Sequence, residues 1–463
     1  MYRSYHIYLK LLLLITTAVS CSKKDYLDTK PDQSLTVPST IQDYQALLDN
    51  DQLNGAGGSA ASGLVPGLGE LGSDNYFVLD ADYTGRLQQA DKNKYVWQAN
   101  PYPGVALPDW NTPYADILYM NVVLDGLARI KPSIDQQAAW NNCRGSALFF
   151  RAFCYYQLAQ LFAPFYDANT ATKDLGVPLR NTADVNEQIV RSTNQETYDK
   201  IIAELKEAIR LLPDNPLYKT RPSRPAAYGF LSRVFLAMQN YDQAYLYADS
   251  CLQIQKSLLN YSTLSTTALF PFTRFNAEVL WNCTLLRPDP LTPAYCKVDT
   301  VLYNSYNAND LRKTLYYKPF NGYFRFLGSY DASAFAFGGI AVDEVYLTHA
   351  ECAARKNDMV TALSDLNTLL ITRWKPGTFI PFTAATASQA LDLILSERRK
   401  ELILRATRWT DLRRLNKEAN YAKTLLRKVQ GQQYTLPVGD ARFTWLIPDN
   451  VMSFHPEMQQ NPR

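Results

Sequence analysis

Residues 136–162 read QQAAWNNCRGSALFFRAFCYYQLAQLF, and this stretch decides the fold class. Ala147, Phe150, Ala152, Phe153, Leu158 and Leu161 recur at the three- and four-residue spacing of a helix. Pro164 stops the run, since proline lacks the amide hydrogen that would continue the ladder. The same period returns on both sides. Residues 115–130 repeat it and close at Lys131-Pro132; residues 197–212 repeat it and close at Pro213. Between these, residues 165–194 form an insertion without a clear period.

Further along, the helices come in pairs. Tyr228, Leu231, Ser232 and Phe235 share one face, Asn240-Tyr241-Asp242 turns the chain, and Ala244 opens a second helix. The small Ser232 and Ala244 let two backbones approach, which is what a tetratricopeptide unit needs. The register recurs at Tyr346 and Ala350, the turn Lys356-Asn357-Asp358, then Ala362 and Leu366. A third, interrupted copy joins residues 147–162 to Leu205, Ala208 and Pro213. The expected fold is therefore mostly all-α: diverged tetratricopeptide-like helical pairs with long irregular loops. Two stretches break the rhythm, residues 55–72, rich in glycine, and residues 285–339, rich in Tyr, Phe, Asn and Pro. Irregular spans of that length inside a compact protein are usually functional, so both are candidate binding surfaces.

The N-terminus has the layout of a secretory signal: Arg3 and Lys10, a short apolar run from Leu11 to Val19, and the small Ser20 before Cys21. The run is far shorter than the roughly 20 residues that span a bilayer. Ala18-Val19-Ser20-Cys21 fits a lipobox loosely, and a cysteine at that place points to acylation. At about 0.8 kcal/mol per buried methylene, more than one acyl chain makes attachment effectively permanent. The expected organisation is a signal peptide at 1–20, a lipidated polar tether at 21–39, and two regions, 40–225 and 226–463, in one continuous unit.

Without Arg3 and Lys10, 45 basic residues face 44 acidic ones. With no basic stripe, nucleic acid is not an expected partner. The 31 tyrosines and seven tryptophans suit a surface that recognises sugars or peptides, because such rings are flat and polar at one end. Cys154, Cys251 and Cys352 fall in helical patterns as small apolar residues, while Cys283 and Cys296 flank a loop and could pair. No Cys/His spacing suggests zinc, and no cofactor is expected.

Nor does any motif call for catalysis. There is no G-x-S-x-G, H-E-x-x-H or G-K-[ST] sequence. Acidic pairs such as Asp80/Asp82 and Asp343/Glu344 exist, but glycosidase chemistry depends on their facing one cleft, which adjacency does not supply. His349, amid apolar neighbours, reads as a core histidine. Glu397, Arg398, Glu401 and Arg405 lie three and four apart and suit ion pairs along a helix, a network Asp411 and Arg414 could extend. Binding of a carbohydrate needs aromatic platforms with amides and charges beside them. Trp97 and Tyr102, with Asn100, are candidates, as are Tyr295, Tyr303, Tyr306, Tyr316, Tyr323 and Arg325.

Several ordered motifs carry a resemblance. Tyr26-Leu27-Asp28 is followed by Pro31. Trp110, Tyr114, Ile117 and Asn121 fall on one helical face, a packing pattern. Arg144-Gly145-Ser146-Ala147 leads to Arg151-Ala152-Phe153 and Tyr155-Tyr156, and Glu344-Val345-Tyr346-Leu347 leads to Ala350-Glu351. Glu397-Arg398-Arg399-Lys400-Glu401-Leu402 precedes Arg408-Trp409 and Asp411-Leu412-Arg413-Arg414, and the chain closes with Trp445-Leu446-Ile447-Pro448 and Asn461-Pro462. In this order the set resembles the SusD/RagB family of nutrient-binding outer-membrane lipoproteins. The resemblance implies an anchor at Cys21 in the outer membrane. It also implies outward exposure, for which Lys23-Lys24-Asp25 is an imperfect export tag. The implied role is non-enzymatic: binding a glycan, or a peptide in RagB-like relatives, and passing it to a SusC-like TonB-dependent transporter. A helical membrane adaptor is the alternative from another class. The resemblance also sets Asp74, Asn75 and Tyr76 in a loop near the binding face.

Overall fold

The computed structural model describes residues 38–54 and 63–463. The expectations for the signal peptide, Cys21, most of the tether and residues 55–62 lie outside these residues.

The decisive stretch is a single helix, α4 (Gln137–Phe162), buried along nearly its whole length from Cys143 onward. A helix apolar all round must sit inside, and α4 is the axis of the helical layer. It packs against α3 (Pro108–Leu127) on one side and α5 (Asn194–Leu211) on the other, with α1 (Ile41–Leu48) laid across it. Helix α3 begins earlier than periodicity predicts, because Pro108 serves as its first residue, where a missing amide hydrogen costs nothing. Thr193 and Glu196 form a reciprocal capping box that starts α5.

Two further helix pairs follow. Helix α6 (Arg224–Ala237) packs on α7 (Tyr241–Ile254), and α8 (Val342–Arg355) on α9 (Met359–Ile371). Short turns join each pair, with Asn240 and Asp358 capping the second helices. Ser232 and Ala244, the small residues of the first pair, are both fully buried. Helices α10 (Ala387–Glu401) and α11 (Arg408–Leu415) complete the scaffold.

The core between α4 and α6 is aromatic. Phe149 and Phe153 each meet Phe230 and Trp281 with ring centroids 4.8–5.6 Å apart, mostly edge to face, the arrangement ring quadrupoles favour. This apolar cluster draws on residues from Ile41 to Met458. A second, tyrosine-rich cluster lies under the irregular face, with Tyr76, Tyr95, Tyr261, Tyr306, Tyr316, Tyr317 and Tyr330 in it.

Among the described residues the strands form five antiparallel two-stranded pairs, including β2 (Leu175–Pro178) with β3 (Arg191–Thr193) and β4 (Val279–Trp281) with β8 (Ile340–Ala341). Three bear on the candidate site. Strand β1 (Tyr76–Phe77) pairs with β5 (Lys297–Val298); β6 (Tyr317–Phe320) pairs with β7 (Tyr323–Phe326); β9 (Leu425–Val429) pairs with β10 (Gln432–Leu436). The β6–β7 turn is Asn321-Gly322 with φ of +51° and +79°, the two positive values of a tight hairpin turn whose twist matches its strands.

Charge packing departs from the sequence expectation. Glu397, Arg398, Glu401 and Arg405 do not pair along a solvated helix face. All four are buried, and their main partners come from other elements. Arg312 holds Asp310, Glu397 and Glu401 at 2.5–2.9 Å. Arg373 joins Glu278 and Glu401 at 2.8 and 2.7 Å. Arg398 meets Asp411 at 2.9 Å, Arg414 meets Glu351 and Asp411 at 2.5 and 2.8 Å, and Arg405 meets Asp343 at 3.1 Å. Lys400–Glu397 is the pair within this helix that follows the i,i+3 rule. Asp411 and Arg414 do extend the network, as expected.

The cysteines Cys143, Cys154, Cys251, Cys283, Cys296 and Cys352 are buried free thiols. Cys283 and Cys296 therefore do not pair, and they sit in different apolar clusters. His349 is buried as expected, with Nδ1 2.6 Å from an Asp365 carboxylate oxygen and its ring 4.1 Å from that of Tyr245. Among the described residues no helix is long and apolar enough to cross a membrane.

Candidate functional site

The chain segments that carry the exposed aromatics converge through strand pairing. Pairing of Phe77 with Lys297 across β1–β5 brings the Phe77 ring to 5.4 Å from that of Tyr323, nearly perpendicular at 78°. Tyr323 opens β7 at the tip of the hairpin and is 37% exposed. Behind it Tyr303 stacks on Phe324 with centroids 3.7 Å apart. Arg325 and Lys297 both lie over the Phe320 ring, at 4.3 and 5.0 Å. The result is a row of half-buried rings with one exposed at its end, held by packing on the tyrosine cluster.

Beside this row opens a cleft of about 440 Å³. Its walls include Asp74, Phe77, Asp299, Val301, Arg399, Lys423 and Lys428, and its floor includes Arg427. The β9 alternation turns Leu425, Arg427 and Val429 inward and Leu426 and Lys428 outward, the period-two rule of a strand. Arg427 donates to the backbone carbonyls of Tyr95, Leu71 and Ser73. Its guanidinium lies 3.8 Å from the Tyr95 ring centre, 4.6 Å from Trp97 and 5.2 Å from Tyr76. Asp74 is shared by three cations: Arg408 at 2.7 Å, Lys423 at 2.7 Å and Arg399 at 3.4 Å. Burial alone would push its carboxyl up; Arg408, ahead of Arg399 and Lys423, holds it well below the usual range.

The residues singled out from sequence separate into two groups. Tyr323 is exposed, and Tyr295, Tyr303 and Arg325 are half-buried on the irregular face. Tyr76, Trp97, Tyr102, Tyr306 and Tyr316 are instead core residues, each 4% exposed or less. Their polar tips are spent internally. The Trp97 indole donates to Gly72, Tyr76 to Leu71 and Tyr102 to Leu446, all backbone carbonyls. Tyr306 bonds Tyr317 and Tyr316 bonds Tyr261, hydroxyl to hydroxyl. Tyr76 and Trp97 nevertheless border the cleft, whereas Tyr102, Tyr306 and Tyr316 do not line it. Asp74 lines the cleft; Asn75, 1% exposed, instead accepts from Arg399 Nε at 3.1 Å.

The described part of the glycine-rich stretch, residues 63–72, is likewise interior. An added Cβ at Gly72 would lie 2.7 Å from the Trp409 ring, and Gly63 has φ +111° tight against Thr284. Sequence alone does not single out Phe77, Arg399, Lys423, Arg427 or Lys428 as ligand contacts, and it includes Phe320 and Phe324 only within the 285–339 span. The Phe320-Asn321-Gly322-Tyr323 turn signal was available for the hairpin; nothing local announces that β9 would meet β1.

Two other arrangements carry less chemistry. Carboxylate oxygens of Glu278, Asp343 and Glu401 lie within 4.8 Å of one another, but Arg373, Arg405 and Arg312 and the Tyr330 hydroxyl already neutralise or bond them. The same contacts hold Asp343, and Arg233 holds Glu344 at 2.5 Å, so this acidic pair is structural. A second cavity of about 330 Å³ is lined by Trp110, Tyr114, Asn121, Val451 and Phe454 among others. The packing expected for Trp110 is present, since its ring contacts Phe162 and Tyr114 at 4.9 and 4.8 Å. Asn121 spends its amide on the Arg180 and Thr182 carbonyls and on Arg151.

Comparison with known proteins places this architecture. Residues 25–236 match a SusD-like family model described as starch-binding associating with outer membrane, and residues 343–463 match the SusD family model. SusD-like protein P2 of Formosa agariphila is 28% identical over 141 residues, 30% of this chain and 26% of that protein's length. A SusD superfamily crystal structure from Bacteroides thetaiotaomicron superposes with a TM-score of 0.73 at 21% identity, covering 92% of this chain and all of that one. A SusD superfamily protein from Bacteroides vulgatus gives 0.72 at 21% identity over 92% and 99% of the two chains. Surface glycan-binding protein A from Bacteroides uniformis gives 0.69 at 17% identity over 91% and 99%. With the ordered motifs, the helical scaffold and both family matches in agreement, the chain belongs to the SusD/RagB family.

Proposed function

We propose that this protein is a lipoprotein anchored at Cys21 to the outer face of the outer membrane. There it binds nutrient glycans at the Phe77–Tyr323 face and passes them to a SusC-like TonB-dependent transporter. It does so without catalysis. The observation that carries the reading is the exposed aromatic edge of the hairpin beside a charged cleft. Flat rings cover the apolar face of a sugar, while nearby charged and amide groups meet its hydroxyls. Family membership adds support, as do relatives whose names record starch, glycan or carbohydrate binding. The partner and the anchor follow from the family resemblance and from the Ser20-Cys21 junction.

Calorimetry of the full chain against polysaccharides and oligopeptides tests this. Glycan binding that falls about tenfold in Tyr323→Ala, the size of one hot-spot contact, supports the reading. Binding of peptides alone would move the protein to the RagB-like role. Binding of neither, without a copurifying transporter, would favour the adaptor.

A further inference from the structure

We propose that the glycan taken by this site is anionic, carrying carboxylate or sulfate groups that settle in the cleft beside the hairpin. The inference rests on the binding face proposed above and deepens it.

Four cations line the cleft, Arg399, Lys423, Arg427 and Lys428, against two carboxylates, Asp74 and Asp299. Asp74 is over-subscribed, since two guanidinium nitrogens of Arg408 donate to its two carboxylate oxygens, at 2.7 and 3.0 Å, while Lys423 and Arg399 share what is left. Asp299 lies 3.6 Å from Arg399. Among the described residues neither Arg427 nor Lys428 has a carboxylate within ion-pair distance. Arg427 is 5% exposed, and carbonyl dipoles and ring faces solvate its charge without cancelling it. Lys428 is exposed and the Lys423 side chain is 46% exposed, so both ammonium groups can reach a bound molecule.

A positive cleft with buried walls concentrates field at its mouth and raises the local concentration of anions. The neighbouring hairpin supplies what an inorganic ion would not use, a ring surface beginning at Phe77 and Tyr323. An acidic sugar residue has both parts: a ring face for Tyr323 and an acid group for Lys423, Lys428 and Arg399. Uronic acids and sulfate esters share this chemistry.

The test titrates the full chain with four oligosaccharides: oligogalacturonate, its methyl-esterified neutral form, a carrageenan sulfate oligomer and a malto-oligosaccharide. Each is run at low salt and at high salt. At low salt, oligogalacturonate or the sulfated oligomer should bind at least tenfold tighter than the neutral sugars. High salt should shrink that gap, as screening requires. The double variant Lys423→Gln/Lys428→Gln should lose at least tenfold for the anionic ligand while its circular dichroism and melting stay unchanged.

Neutral sugars bound as tightly as acidic ones, with Tyr323→Ala weakening both, would overturn the anionic proposal and leave the glycan site standing. Anionic binding indifferent to the lysine variant would also overturn it. Failure of all four to bind would overturn the site reading together with the proposal.

Discussion

Charge is handled in opposite ways by two neighbouring regions. In the interior between α8, α10 and α11, Arg312, Arg373, Arg398, Arg405 and Arg414 each meet at least one carboxylate within 3.1 Å. In the cleft, Arg427 and Lys428 meet none among the described residues, and three cations crowd onto Asp74. A buried ion needs a counter-charge or a set of hydrogen bonds; these five interior arginines use carboxylates, while Arg413 on α11 donates to the Gln160 and Ala163 carbonyls. In the cleft, backbone carbonyls and ring faces solvate the buried Arg427, and water covers the exposed Lys423 and Lys428 until a ligand does. The difference separates scaffold from binding face more sharply than residue type does, since arginines serve in both.

The comparison breaks most visibly at Glu401, which serves both Arg373 and Arg312. Glu401→Ala should cost about 3–5 kcal/mol by leaving buried guanidinium groups short of a partner, read from urea unfolding. Trp281→Ala, in the aromatic core with no charge involved, should cost about 3–5 kcal/mol through the cavity it leaves. Lys428→Gln in the cleft should change stability by no more than about 0.5 kcal/mol. A loss at Lys428 as large as at Glu401 would erase the contrast.

A separate effect concerns protons. Burial pushes the Glu70 carboxyl, under the cleft wall, up to about 8 from 4.5, with its bond to Ser73 opposing. A carboxyl raised in the folded state favours folding while protonated. Its contribution is complete below pH 4.5 and fades as the pH rises toward about 8. The stability of Glu70→Gln relative to the parent should therefore rise across that window and level off above it. Glu351 and Asp411 behave oppositely. Burial raises them, but Arg414 for Glu351 and Arg398 for Asp411 pull them below 4.5 and 3.8, so their contribution is present at neutral pH and lost on acidification. Unfolding curves from about pH 2 to 9 check both signs. A Glu70→Gln difference that stays flat would contradict the burial of a protonated carboxyl there.

Much of the helical scaffold is legible in the chain. The 136–162 period, the prolines that end neighbouring helices and the small residues Ser232 and Ala244 are local signals, and helix pairing follows from them. The binding face is less legible because it is made by long-range pairing. Tyr323 and Tyr316 look alike in sequence, yet one tips a hairpin and the other bonds Tyr261 in the core. Trp97 has the composition of a sugar platform but is enclosed by Gly72 and Arg427, which arrive from distant segments. The run Glu397 to Arg405 reads as a self-paired helix face because helix spacing says nothing about Arg312 and Arg373 approaching from elsewhere. Charge pattern marks where ions are, and tertiary contact decides whether they are spent.

The central claim is that the hairpin edge holds a glycan while the balanced interior only supports it. Calorimetric titration of one bound glycan into the parent chain, Tyr323→Ala and Tyr316→Phe tests it most directly. Tyr323→Ala should weaken binding about tenfold without lowering the melting temperature. Tyr316→Phe, which removes a buried hydroxyl bonded to Tyr261, should lower stability and leave affinity unchanged. Unchanged affinity in Tyr323→Ala would contradict the account.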